Sequence, residues 1–237
     1  MKLINKLKNL IFPNACLYCN RIINESSFFC LTCWPDLQFI TNPKCNICSY
    51  PLEFEGITNI CIKCQQSKPH YDQNISIFRY DKIIKRIISS LKYQDQQYLA
   101  RKLAKLLIQN SKLDFAKFDI IICVPSHKKQ LQKRKYNPSA LLAKNICKIT
   151  KNPNFQPNLL LKVKNTQPQA KLTKKQRLVN LNSAFKINPK FQQLVKNQSI
   201  LIIDDVTTTQ STLNEISKTL KKLKPQNITT LTIAKAF

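Results

Sequence analysis

An α/β domain with a largely parallel sheet, preceded by a small cysteine-rich module, is the fold this sequence predicts. Eight of the ten cysteines fall into four Cys-x-x-Cys pairs before residue 69. Beyond them, short apolar runs alternate with segments of helical periodicity, the pattern of strands crossed over by helices. Near the end, the apolar run Ser199 to Ile203 opens into two carboxylates, then hydroxyls, then a helical pattern. Residues 1–69 and 70–237 are read as two domains, the second with about 165 residues, enough for a full core.

The chain opens on Met1 to Phe12, where Leu3, Leu7, Leu10 and Ile11 share one helical face and Lys2, Lys6 and Lys8 lie elsewhere. A short helix packed on the cysteine module is expected, with a membrane-surface contact as the alternative. The pairs Cys16/Cys19, Cys30/Cys33, Cys45/Cys48 and Cys61/Cys64 follow at near-regular intervals. Two cysteines on one tight turn hold one edge of a metal, and two such pairs complete a tetrahedral thiolate shell suited to Zn²⁺. Four pairs predict two structural zinc ions, in consecutive pairing as two ribbons or in cross-braced pairing of alternate motifs. A disulfide framework needs an oxidising compartment, no signal peptide is read at the start, and redox dithiols rarely come four at a time. Protein ligands fill every position, so the zinc is not catalytic. Cys123 and Cys147 read as small core residues.

In the second domain, Asn74 to Tyr80 reads as a strand, Asp81 to Tyr93 and Gln96 to Gln109 as amphipathic helices, and Asp119 to Val124 as a buried strand. Asn137 to Thr150 is a helix with Asn137 as cap and Pro138 at its first position. Asn158 to Val163 and Ile228 to Ala234 read as further strands. The polar segment Lys164 to Phe185 is long for a loop in a compact domain, and such segments are usually functional. No apolar run approaches the ~20 residues of a membrane span, so no transmembrane segment is expected and the chain reads as cytoplasmic, with a peripheral place at the inner face of the membrane as the alternative.

The formal charge is +27. Residues 1–70 carry seven Lys/Arg against four Asp/Glu, and two four-thiolate zinc sites would add about −4, leaving that module near neutral. From Ile120 to Ile203 there are seventeen Lys/Arg and no Asp or Glu, which points to polyanionic partners. A coding bias toward A and T explains abundant lysine beside a single glycine; it does not remove Asp and Glu. Tyr136 and Phe155 are the candidates for stacking on bases, whereas Phe185 reads as core.

Ile200 to Ile203 read as a buried parallel strand, and Leu213, Ile216, Leu220 and Leu223 recur at helical spacing, so Thr207 to Thr212 turn at the strand's carboxyl end. Ligands of open α/β sheets bind there. The first amides of the helix have no internal partner and sit at its positive end, and the hydroxyls of Thr207, Thr208, Thr209, Ser211 and Thr212 add donors, so a phosphate fits. Asp204 and Asp205 would then face sugar hydroxyls. An ordinary N-capped helix after a strand has the same pattern.

Asp204 to Thr212 resembles the 5-phosphoribosyl-1-pyrophosphate (PRPP) motif of type I phosphoribosyltransferases, with one departure: Gln210 stands where that family has glycine. Forced into a left-handed turn, a non-glycine residue costs on the order of 1–3 kcal/mol. The resemblance widens with Phe78-Arg79-Tyr80-Asp81, Ser90-Leu91-Lys92-Tyr93, Val124-Pro125-Ser126-His127, Arg134-Lys135-Tyr136-Asn137, Leu141-Leu142-Ala143, and Thr166, Gln169, Leu172, Arg177, Asn180 and Phe185. This ordered set resembles the ComF family of competence proteins, related to GntX, which join a double zinc ribbon to a phosphoribosyltransferase-like domain and are associated with DNA uptake in natural transformation. Lys135, before Tyr136, and the position preceding Asp95 are further places where the family pattern leads one to expect glycine.

The resemblance implies that Asp204 and Asp205 hold ribose hydroxyls and stabilise positive charge developing on the ring. It implies that Thr207, Thr208, Thr209, Gln210, Ser211 and Thr212 hold the 5′-phosphate, and that Lys128, Lys129, Arg134 or Lys135 neutralise pyrophosphate beside Mg²⁺ carried by PRPP. Lys164 to Phe185 would be a mobile flap bringing Arg177 to phosphate. Two functions follow: a DNA-uptake accessory protein that binds a phosphosugar and single-stranded DNA, with the zinc module docking a DNA-translocating helicase, or a working phosphoribosyltransferase acting on a small acceptor.

Overall fold

Four strands lie parallel in the order β1-β6-β5-β2: β1 Gln73–Arg79, β2 Ile120–Cys123, β5 Ser199–Thr207 and β6 Asn227–Lys235. The computed structural model describes residues 14–24, 27–93, 98–164 and 184–237. The expected helix over Met1 to Phe12, the flap with Arg177, and Asp95 lie outside the described residues. Two further strands, β3 Leu160–Lys162 and β4 Phe185–Ile187, form a separate antiparallel ribbon. Asn158 to Val163 therefore does supply a strand, but one that leaves the main sheet.

Six helices are described: α1 Ile62–Gln66, α2 Lys82–Tyr93, α3 Leu99–Ser111, α4 Lys128–Arg134, α5 Pro138–Thr150 and α6 Ser211–Lys221. The starts of α2, α4 and α5 follow from side-chain caps. Asp81 accepts the Ile84 amide at 2.8 Å, and Asn137 accepts the Ser139 amide at 3.1 Å with Pro138 behind it. Lys128–Arg134 has no apolar periodicity in the sequence, yet it is a helix, capped by His127, whose Nδ1 accepts the Lys129 amide at 3.2 Å.

The central strands alternate between two cores, as period-two geometry requires when both faces are covered. Ile121, Cys123, Leu201, Ile203, Leu231 and Ile233 face the cluster built with α2, α3 and α5. Ile120, Ile122, Ile200, Ile202 and Ile228 face the cluster built with α6 and the β3–β4 ribbon. Phe155 makes one parallel bridge to Ile121 and packs against the first cluster, and the Tyr136 hydroxyl donates to the Leu91 carbonyl at 2.7 Å. Both expected stacking residues are thus committed to packing, and Phe185 is core.

The cysteine module is built into this domain. Cys16, Leu17, Phe29, Cys30, Cys33 and Leu37 belong to the larger core cluster. Residues 38–40 run antiparallel along the free edge of β1: the Ile40 amide donates to the Ile77 carbonyl and the Arg79 amide to the Gln38 carbonyl, both at 2.8 Å. The Phe39 and Phe29 rings meet Phe78 at 4.6 and 6.2 Å. The second ribbon docks through polar groups instead: Ser49 donates to the Asn74 carbonyl at 2.6 Å, and the buried Lys235 ammonium donates to the Cys48 carbonyl. Among the described residues no helix is long and apolar enough to cross a membrane.

Candidate functional site

The zinc ligands assemble as two closed groups, Cys16/Cys19/Cys30/Cys33 and Cys45/Cys48/Cys61/Cys64, each with all its sulfurs within 4.8 Å of one another. The pairing is consecutive, not cross-braced. Cys19 and Cys30, and likewise Cys48 and Cys61, have Sγ atoms 3.6 Å apart. A tetrahedral shell with Zn–S of about 2.3 Å has an S···S edge near 3.8 Å, so the donor set fits structural Zn²⁺. Burial opposes thiolate formation in each group, yet hydrogen bonds from neighbouring thiols and amides bring Cys30 down to about 6 and Cys45 to about 7. Burial pushes Cys33 and Cys64 up. Asn20 and Ser49, each directly after a knuckle's second cysteine, take φ of 61° and 57°.

At the opposite end of the chain, β5 continues past its apolar run and carries Asp204 and Asp205 to the carboxyl edge of the sheet. The Ser139 hydroxyl, in the first turn of α5, donates to Asp204 Oδ1 at 2.8 Å, and the Asp205 amide donates to the same oxygen at 2.9 Å. Burial and the adjacent Asp205 charge push the Asp204 carboxyl up to about 7, against the pull of Ser139 and Lys92. Asp205 is buried, and its Oδ2 pairs with Lys92 Nζ at 2.7 Å. Burial pulls the Lys92 ammonium down and the Asp205 carboxylate more than restores it, so it lies above its ordinary value. Lys162, at the end of β3, is lowered by burial against the attraction of Asp204.

Arg134 ends α4 and donates to the Tyr93 hydroxyl at 2.5 Å, its guanidinium 4.5 Å from the ring centroid. Lys135 follows with φ 63° and an exposed side chain. Thr207 is the last residue of β5, buried, its carbonyl accepting the Ala236 amide at 2.9 Å. The turn proper is therefore Thr208, Thr209 and Gln210. Thr209 and Ser211 hydroxyls lie 2.8 Å apart, and Thr212 continues into the first turn of α6. Gln210 has φ 64° and ψ −2°, the left-handed conformation, with its side-chain carbonyl accepting a hydrogen bond from Tyr71.

The structure thus gathers Asp204, Asp205 and the Thr208–Thr212 turn on one sheet edge, and adds groups that sequence reasoning did not place there. Lys92 had been noted only within a run resembling the family, and in an amphipathic helix it looks like any solvated lysine. Ser139 had no assigned role, although its position directly after the capped Asn137-Pro138 start fixes where its hydroxyl points.

Comparison with known proteins agrees with this architecture. A family profile described as "Double zinc ribbon domain" matches residues 7–65. Competence protein F of Haemophilus influenzae is 30% identical over 231 residues, covering 91% of this chain and 100% of that protein. DNA utilization protein YhgH of Salmonella typhimurium is 26% identical, covering 89% of this chain and 92% of its own length, and the Escherichia coli K12 protein of the same name is 25% identical over 74% and 77%. With a near-full-length relative at this identity, two four-cysteine sites in the matching module and a parallel sheet flanked by helices behind it, the chain belongs to the ComF family of competence proteins.

Proposed function

We propose that this protein binds PRPP or a related phosphosugar at the carboxyl edge of β5 and supports the uptake of single-stranded DNA in natural transformation. The observation that carries the phosphosugar reading is the sequence of groups along one edge: two carboxylates, Ser139 donating to one and Lys92 paired with the other, then a hydroxyl-rich turn entering a helix amino terminus. Carboxylates suit ribose hydroxyls and Mg²⁺, and the amides of Thr209, Gln210 and Ser211 suit a terminal phosphate. Arg134 and Lys135, at the end of α4, offer cations suited to the pyrophosphate. The DNA reading draws on the printed names of the relatives, competence and DNA utilization, together with the acid-free basic stretch. Leu31 and Trp34, 92% and 54% exposed on the first ribbon, support a protein partner there, for which a DNA-translocating helicase is the family-type choice.

A second reading, transfer of phosphoribose to a small acceptor, gains from one observation: Gln210 keeps the left-handed backbone that glycine would supply, so the turn retains the shape a phosphate requires. In that case Asp204 and Asp205 oppose positive charge developing on the ribose ring. Calorimetric titration with Mg²⁺-PRPP tests the site. Micromolar affinity in the parent and at least a tenfold loss in Asp204→Asn are expected; silence of the parent at millimolar ligand would remove the phosphosugar from this function.

Single-stranded DNA binding should weaken steeply with salt, because each neutralised phosphate releases condensed counterion. Replacing Lys133, Arg134 and Lys135 together by alanine should lower the slope of log K against log salt by about 2, at roughly 0.7 per phosphate contact. Equal slopes for parent and triple variant would exclude this segment as the DNA contact.

A further inference from the structure

Between the second ribbon and β1 the chain forms a strap along α6. The His70 amide donates to Asn214 Oδ1 at 2.7 Å; Asp72 accepts the Ile228 amide at 2.7 Å and pairs with Lys221 at 3.0 Å. Tyr71, between them, is fully buried. It sits in the core cluster against which Ile47, the residue inside the Cys45/Cys48 knuckle, also packs. At its other end the hydroxyl donates to Gln210 Oε1. One rigid aromatic residue therefore belongs to the core against which the metal knuckle packs and also reaches the phosphate turn.

Gln210 is the residue that needs holding. A side chain at φ 64° is disfavoured by contact between Cβ and the backbone, and glutamine lacks the short amide with which asparagine stabilises that region locally. Its carbonyl must also accept the Asn214 amide at 2.8 Å to start α6. A fixed donor on the side chain supplies what glycine's freedom would otherwise provide, and a buried phenol left without an acceptor would in turn be penalised.

We propose that Tyr71 is a positioning residue for the phosphate turn: by anchoring Gln210 it holds Thr208–Thr212 in the anion-binding shape, and it makes that shape depend on the integrity of the second four-cysteine site. The affinity consequence rests on the phosphosugar reading above; the conformational consequence does not. Loss of zinc from Cys45/Cys48/Cys61/Cys64 would free Ile47 and the strap, release the ring, and slacken the turn.

The test compares the zinc-loaded parent with Tyr71→Phe, Gln210→Ala, and Tyr71→Phe/Gln210→Gly. Amide hydrogen exchange is read at Thr209, Gln210 and Ser211, and Mg²⁺-PRPP affinity by calorimetry. Tyr71→Phe and Gln210→Ala should each speed exchange in the turn about tenfold while the β5 amides keep their protection, and each should weaken PRPP binding about tenfold. The double variant should recover both, because glycine adopts the left-handed backbone unaided. Cys61→Ser, which opens the second site alone, should loosen the turn when added to the parent and change it less when added to the double variant. Parental exchange in both single variants, or a double variant as loose as Tyr71→Phe, overturns the proposal. If Tyr71→Phe loses its zinc, Gln210→Ala decides alone. A parent that shows the exchange pattern but binds no PRPP separates failure of the ligand reading from failure of the coupling.

Discussion

Chelating zinc is expected to unfold the α/β domain along with the ribbons. The first ribbon contributes Cys16, Leu17, Phe29, Cys30, Cys33 and Leu37 to the same cluster that holds Ile84, Leu91, Leu103 and Leu107, and residues 38–40 cover the free edge of β1. Structural zinc contributes an apparent ~10–16 kcal/mol to folding in small modules, since no site preexists in the unfolded chain. Much of that is felt here by the shared core. Metal analysis should return two zinc ions per chain, and metal removal should lower the melting temperature by more than about 10 °C, given roughly 2–4 °C per kcal/mol for a chain of this size. Cys30→Ser should be the more damaging substitution and Cys61→Ser the milder, because the second ribbon meets the sheet largely through polar groups such as Ser49, Asn74 and Lys235. A metal-free protein whose α/β domain melts as the parent does would show that the two parts are independent.

The shared core was not legible in the cysteine spacing, which identifies ligands but carries no information on what surface the ribbon rests upon. The sheet was more readable. β2 and the apolar start of β5 are continuous runs bounded by polar residues, as expected of strands buried on both faces. The run around Leu160 looks the same in sequence, yet it pairs with Phe185–Ile187 in a side ribbon and leaves Leu161 exposed, because an apolar run specifies neither its partner nor its place in the sheet. α4 was missed because Lys128–Arg134 holds one apolar residue, Leu131, and so has no periodic face to detect. Glycine substitution was legible only as a question. The structure answers it at two positions, where Lys135 and Gln210 both take positive φ, 63° and 64°, the conformation glycine adopts freely, and at Gln210 a hydrogen bond from Tyr71 holds the side chain. Asp204 and Asp205 were placed at the sheet edge by the apolar run before them. Lys92 was not, since its pairing with Asp205 depends on how α2 lies across the sheet.

Lys92→Met should destabilise the protein by about 3 kcal/mol at pH 8, because it leaves the Asp205 carboxylate buried beside Asp204 without its cation. Lys92→Met/Asp205→Asn should recover most of that loss, since the Asp205 charge is removed together with its cation. The neighbouring Asp204 has the opposite pH signature to a salt-bridged acid. Burial raises its folded pKa from 3.8 to about 7, so between those values the folded state holds a proton that the unfolded state has released, and stability falls as pH rises through that window. Asp204→Asn, which still offers Ser139 an acceptor, should flatten the fall and be at least as stable as the parent at pH 8. It should nevertheless bind Mg²⁺-PRPP poorly, because only the ionised carboxylate attracts the metal and opposes charge on the ribose. The parent's own PRPP affinity should drop about tenfold from pH 8 to pH 6, as Asp204 takes up its proton one unit below its pKa. Denaturant titrations at pH 5, 6, 7 and 8 read the stability terms, and calorimetry at pH 6 and 8 reads the affinity. If Lys92→Met matches the parent at pH 8, the Lys92–Asp205 pair contributes nothing to the fold. If Asp204→Asn keeps the parent's pH slope, the buried acid responsible lies elsewhere.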